Sequence, residues 1–128
     1  MTMQYSVAVR NSKLDAVETT IGTGAVLKIF SGPQPANCAA ADPSGLLATL
    51  TLPSDWMGAA GAGVKAKVGT WSATASGSGT AASWRIYSSD GTTCGIQGNA
   101  TDMVFDNQNI TSGRTVTVSG FTLTAGNA

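Results

Sequence analysis

Thr70 to Trp84 read TWSATASGSGTAASW. Between the two tryptophans nothing is larger than threonine, nothing is charged and there is no proline. Trp71, Ala73 and Ala75 fall on one face and Ser72, Thr74 and Ser76 on the other, the period of two that marks a strand. Gly77, Ser78 and Gly79 offer a turn. Thr80 to Ser89 then alternate again, with Ala82, Trp84 and Ile86 facing one way and Ser83, Arg85 and Tyr87 the other. The spacing predicts a β-hairpin with small cross-strand partners and a tryptophan towards the far end of each arm. Such a stretch holds no acid, base or activated nucleophile. It is suited to contact or packing, not to catalysis.

The same alternation extends along the chain. Ala25–Phe30 reads as a strand, and Ser31 to Gly45 as a loop punctuated by proline and glycine. Leu46 to Leu52 places Leu46, Ala48, Leu50 and Leu52 on one face, Leu47, Thr49 and Thr51 on the other, and Pro53 ends it. Ser54 to Gly63 is a second loop. Asp90-Gly91 marks a turn into a strand where Cys94 and Ile96 share a face. Asp102 to Ile110 reads as a short strand and a turn. Arg114 to Ala125 closes the pattern, with Val116 and Val118, then Phe121 and Leu123; the change of parity at Ser119-Gly120 predicts a bulge.

Before Gly24 the period is helical. Val7, Leu14, Val17 and Ile21 form an apolar stripe, and Asp15 and Glu18, three residues apart, share a solvated face. Gly22 and Gly24 offer a stop. One helix (residues 1–24) followed by a β domain (25–128) predicts a mainly β fold: an N-terminal helix, then an antiparallel β-sandwich or jelly roll of about eight short strands. A length of 128 residues fits one such domain.

Composition narrows the function. Seven basic and seven acidic residues leave no net charge, and charged residues are 11% of the chain against about 25% in an average domain. A basic cluster is absent, so nucleic acid is not an expected partner. There is no histidine, the commonest general base and metal ligand. No secretion signal or membrane span is read, so a cytoplasmically made, soluble protein is expected. Cys38 and Cys94 then start as thiols and form no CxxC. Buried packing thiols are expected, with a disulfide formed after release from a cell as the alternative.

Candidate sites are few. Gly58 to Gly63 (GAAGAG) lacks the strand and helix of a nucleotide fingerprint. Asp42, Asp55, Asp90, Asp102 and Asp106 sit in turn contexts. Asp102 and Asp106 with Asn107 and Asn109 do not match a calcium loop. Trp56, Trp71 and Trp84 are candidates for a sugar platform, but Trp71 and Trp84 keep core company. No catalytic residue, cofactor or metal ligand is expected.

Four segments carry a resemblance: Tyr5–Gly22 (YSVAVRNSKLDAVETTIG), Leu27–Met57 (LKIFSGPQPANCAAADPSGLLATLTLPSDWM), Gly63–Gly98 (GVKAKVGTWSATASGSGTAASWRIYSSDGTTCGIQG) and Val116–Ala128 (VTVSGFTLTAGNA). In this order, over nearly the whole chain, they resemble small proteins encoded among the structural genes of tailed bacteriophages and prophages. The resemblance implies a virion component without enzymatic activity, a capsid decoration (cement) protein assembled in the host cytoplasm onto the capsid surface. Its partners would be itself, as a homo-oligomer, and the major capsid protein. A tail-associated or carbohydrate-binding module is the alternative. No residue roles come with the resemblance. From composition and patterning, the residues expected at an interface are Val7, Leu14, Val17, Ile21, Thr74 and Ser83.

Overall fold

The computed structural model describes residues 3–125; the outermost ends of the two expected segments lie outside the described residues. Helix α1 (Val7–Ile21) comes first. Ten strands follow: β1 (Val26–Phe30), β2 (Leu46–Thr51), β3 (Val64–Ala66), β4 (Trp71–Thr74), β5 (Gly79–Thr80), β6 (Ser83–Tyr87), β7 (Cys94–Asn99), β8 (Met103–Phe105), β9 (Asn109–Ile110) and β10 (Thr115–Thr124). The expected class holds: mainly β, one N-terminal helix, then antiparallel sheets. The count exceeds eight because Val64 to Ser76 breaks into two strands and because β5 and β9 are a two-residue pair.

Helix α1 begins where the sequence supplies a cap and ends where it supplies a glycine. The Ser6 hydroxyl accepts from Val9 N–H at 3.2 Å. Gly22, at φ 90°, donates its N–H to the Glu18 carbonyl.

One sheet has the order β2-β1-β6-β7. The other gathers around β10, which pairs with β4 through 115–118, with β8 through 118–121 and with β3 through 122–124. The core lies between them. Leu27, Ile29, Leu50, Trp84 and Ile86 come from the first sheet; Trp71, Met103, Val116, Val118 and Phe121 come from the second. The arrangement is sandwich-like.

The expected hairpin does not form. β4 pairs with β10, with Trp71 opposite Val118, whereas β6 pairs with β1 and β7, with Trp84 opposite Ile29. The Gly-Ser-Gly segment carries the chain from one sheet to the other. A cross-strand arrangement would have placed both tryptophans on one sheet face. Instead Phe121 sits between them, 5.7 Å from Trp71 and 5.1 Å edge-on from Trp84, so three rings bridge the two sheets. Ser76 and Gly77 N–H groups both donate to the Leu47 carbonyl as the chain crosses. A Cβ on Gly77 would lie 2.5 Å from the Leu46 carbonyl oxygen, so the crossing needs glycine.

Three irregularities shift side chains between faces. The expected bulge is present, between Val118 and Gly120. The β1–β2 register slips between Ile29 and Phe30. Ala48, Leu50 and Leu52 are buried as expected, but Leu47 is buried too and Leu46 is 42% exposed. A slip between Ile86 and Tyr87 sets Cys94 opposite Tyr87 and Ile96 opposite Ile86. Cys94 and Ile96 therefore occupy opposite faces, not one, because an extra residue reverses the alternation.

Candidate interaction surface

All five β6 residues are buried, Ser83, Arg85 and Tyr87 included. Their face is covered by the Ser31–Gly45 loop. Ser31 N–H donates to Gly45 O and Gly32 N–H to Ser44 O, both at 2.9 Å, which closes the loop at its base. Arg85, 2% exposed, donates from Nη1 to Asp42 at 2.9 Å, from Nη2 to the Asn37 carbonyl at 3.0 Å and from Nε to Gln97 at 3.0 Å. The Tyr87 hydroxyl donates to Asp42. Gln97 donates to the Pro35 carbonyl at 2.8 Å. Within this cover the Cys38 and Cys94 sulfurs are 2.9 Å apart. Two cysteines distant in sequence are thus adjacent in space.

A second polar cluster ties the helix down. Lys65, 2% exposed, meets Asp15 at 2.7 Å, Glu18 at 3.0 Å and the Gly58 carbonyl at 2.7 Å. Asp15 also accepts from Ala60 N–H, Glu18 from Met57 N–H and Asn11 from Gly63 N–H. The Trp56 indole donates to Gly22 O at 3.1 Å. The expectation of a solvated Asp15–Glu18 face is corrected: that face grips a buried lysine and the Ser54–Gly63 loop. Spacing along a helix identifies neighbours on a face, not what the fold places against it.

The residues expected at an interface divide accordingly. Leu14 and Ile21 are each 5% exposed and pack within the chain, with Val17 half-buried beside the core. Ser83 is buried and donates to Gly32 O at 2.7 Å, so it presents nothing to a partner. Val7, 48% exposed, and Thr74 remain on the surface. Patterning did not single out the other exposed apolar side chains, Met3, Val9, Leu46, Val64, Val68 and Val104. A shallow open depression on α1 is lined by Ala8, Val9, Ser12, Lys13 and Ala16.

Residues that suggested other chemistry are engaged elsewhere. Trp56, Trp71 and Trp84 are at most 2% exposed, so they form no sugar platform. Asp90 caps its turn, and the Thr93 hydroxyl and N–H, then the Thr92 N–H, hold its carboxyl at about 2. Asp102 closes a capping box with Asn99 over the 3₁₀ turn Ala100–Asp102. Asp106 accepts from Asn107 and Thr117 N–H groups. Among the described residues no three His, Cys, Asp or Glu side chains are placed to hold a metal, and no helix is long and apolar enough to cross a membrane.

The two clusters dictate an alkaline sensitivity. Burial, then the neighbouring Cys38 thiol, pushes Cys94 up to about 12. Burial, then Asp42, raises the Tyr87 phenol. Burial opposes the Lys65 ammonium, but Asp15 and Glu18 together outweigh it and raise that group as well. All three lose protons more readily unfolded than folded. Their contribution is full below the unfolded thiol value of about 9 and is lost as pH rises. Urea midpoints of the reduced protein should fall steadily between about pH 9 and 11. Tyr87→Phe should flatten the part of the fall above about pH 10; a flat wild-type profile would exclude the assignment.

Fold and surface together define a class: a sandwich-like β domain with a docked helix, two buried cations paired with carboxylates and few charges overall. No protein-family model matches the chain, and no curated protein or solved structure matches it.

Proposed function

We propose that this chain is a non-enzymatic structural component of a tailed-phage particle, a capsid decoration protein that stabilises the head shell through protein–protein contacts with itself and the major capsid protein. The observation that carries the reading is where the charges go. Of seven cations, Lys65 and Arg85 are buried, and they engage Glu18 and the half-exposed Asp15 and Asp42 of the seven anions, so the charges at these sites are paired. The exterior left behind is poor in charge and rich in serine, threonine and alanine, with scattered exposed valines. Such a surface is desolvated without stranding ions. A decoration protein acts by adding buried area across seams, so mass action favours the assembled shell. The resemblance to phage structural proteins supports the same role.

Particle composition tests it: hundreds of copies per virion are expected, whereas absence from particles would overturn the reading and a few copies would move the protein to the tail. Particles stripped of the protein should rebind it and resist heat better. Thr74→Lys, which places an unpaired charge on an exposed strand position, should weaken rebinding at least tenfold while leaving the melting temperature unchanged. Unaltered rebinding by that variant removes the β4 surface from the contact.

A further inference from the structure

We propose that Cys38 and Cys94 are a redox-responsive pair that a disulfide oxidant of the glutathione class joins, stapling the Ser31–Gly45 loop to the outer face of the β1–β6–β7 sheet. The pair is 56 residues apart in sequence and its sulfurs are 2.9 Å apart in space. Cys38 is carried by a loop whose base is closed by two backbone hydrogen bonds and whose body is held by Arg85, Tyr87 and Gln97. Cys94 is directed to the same side by the β6–β7 bulge. Both ends of the would-be bond are therefore positioned by the fold, and both residues are partly exposed.

The reaction is thiol–disulfide exchange. The Cys38 thiolate attacks one sulfur of oxidised glutathione; a mixed disulfide forms and one glutathione thiolate leaves. Cys94 gives its proton to solvent and attacks the Cys38 sulfur, forming the internal bond and releasing the second glutathione. Two protein thiols are oxidised by two electrons and one oxidised glutathione becomes two reduced molecules. Burial, then the Cys38 thiol beside it, raises the Cys94 thiol, and the mixed disulfide removes the second of these contributions.

Bridging so long a segment restricts the unfolded chain strongly. The full chain is incubated with oxidised glutathione or with dithiothreitol, then followed by intact mass, by maleimide labelling in denaturant and by thermal unfolding. Oxidation should lower the mass by about 2 Da, abolish labelling and raise the melting temperature by about 10 °C. Cys38→Ser should melt near the reduced wild type and show no rise with oxidant. Two labelled thiols after oxidation, or two glutathione adducts, would overturn the pairing. An internal bond without a rise in melting temperature, or an equal rise in Cys38→Ser, would overturn the staple.

Discussion

Trp84→Ala should lower folding stability by about 3–5 kcal/mol and the melting temperature by about 10–20 °C. Trp84 is 2% exposed and is held on every side. Its indole N–H donates to Asn99 O at 2.9 Å, its ring meets Phe121 edge-on at 5.1 Å and it lies opposite Ile29 on β1. A Cβ on Gly98 would come within 2.5 Å of the ring, so the neighbouring strand is already as close as backbone allows. Truncation opens a cavity whose walls belong to two different sheets, and these cannot collapse together without breaking ladder pairing. It also leaves the Asn99 carbonyl without its donor. Leu46→Ala, at a position 42% exposed, should cost less than about 1 kcal/mol and serves as the comparison. Equal losses in the two variants, read by thermal and urea unfolding, would contradict the placement of Trp84 at the junction of the sheets.

Lys65→Ala should cost about 3 kcal/mol and reduce the helical signal in far-UV circular dichroism. The lysine is buried, and its loss leaves the Glu18 carboxylate, 20% exposed, and the Gly58 carbonyl without their cation. The helix spans 15 residues, a length that is marginal alone in water. It is kept by Leu14, Ile21 and this clamp, so removing the clamp frays it. The Asp15 carboxylate is 51% exposed, and without it Lys65 keeps Glu18 and the Gly58 carbonyl, so Asp15→Asn should cost much less than Lys65→Ala. The double variant Lys65→Met with Glu18→Gln should lose less than the sum of the single changes, since neither charge is then stranded. Additive losses would mean that the lysine acts through packing alone.

The N-terminal helix with its stop at Gly22, the β character of the remaining chain, the bulge after Val118 and the core company of Trp71 and Trp84 were legible because each is a local property. Periodicity, glycine stops and parity changes are written in consecutive residues. The surface that carries the proposed function was legible in composition, as a shortage of charge. Its make-up by residue was less so: Val7 and Thr74 are on the surface, whereas Leu14, Ile21 and Ser83 turn inward.

Consecutive residues alone settle which segments are extended, where they are interrupted and which side chains seek burial. The tertiary structure decided which strand lies beside which. Trp71 and Trp84 occupy different sheets although a Gly-Ser-Gly turn signal separates their strands, because alternation specifies the faces of a strand and says nothing of its neighbours. It also decided what covers each face. Lys65 meets Asp15 across 50 positions, Arg85 meets Asp42 across 43 and Cys38 meets Cys94 across 56. These contacts join residues with no local signature in common. They arise because a polar group carried into the interior must find a partner there, and only the assembled sheets and loops determine which one is within reach.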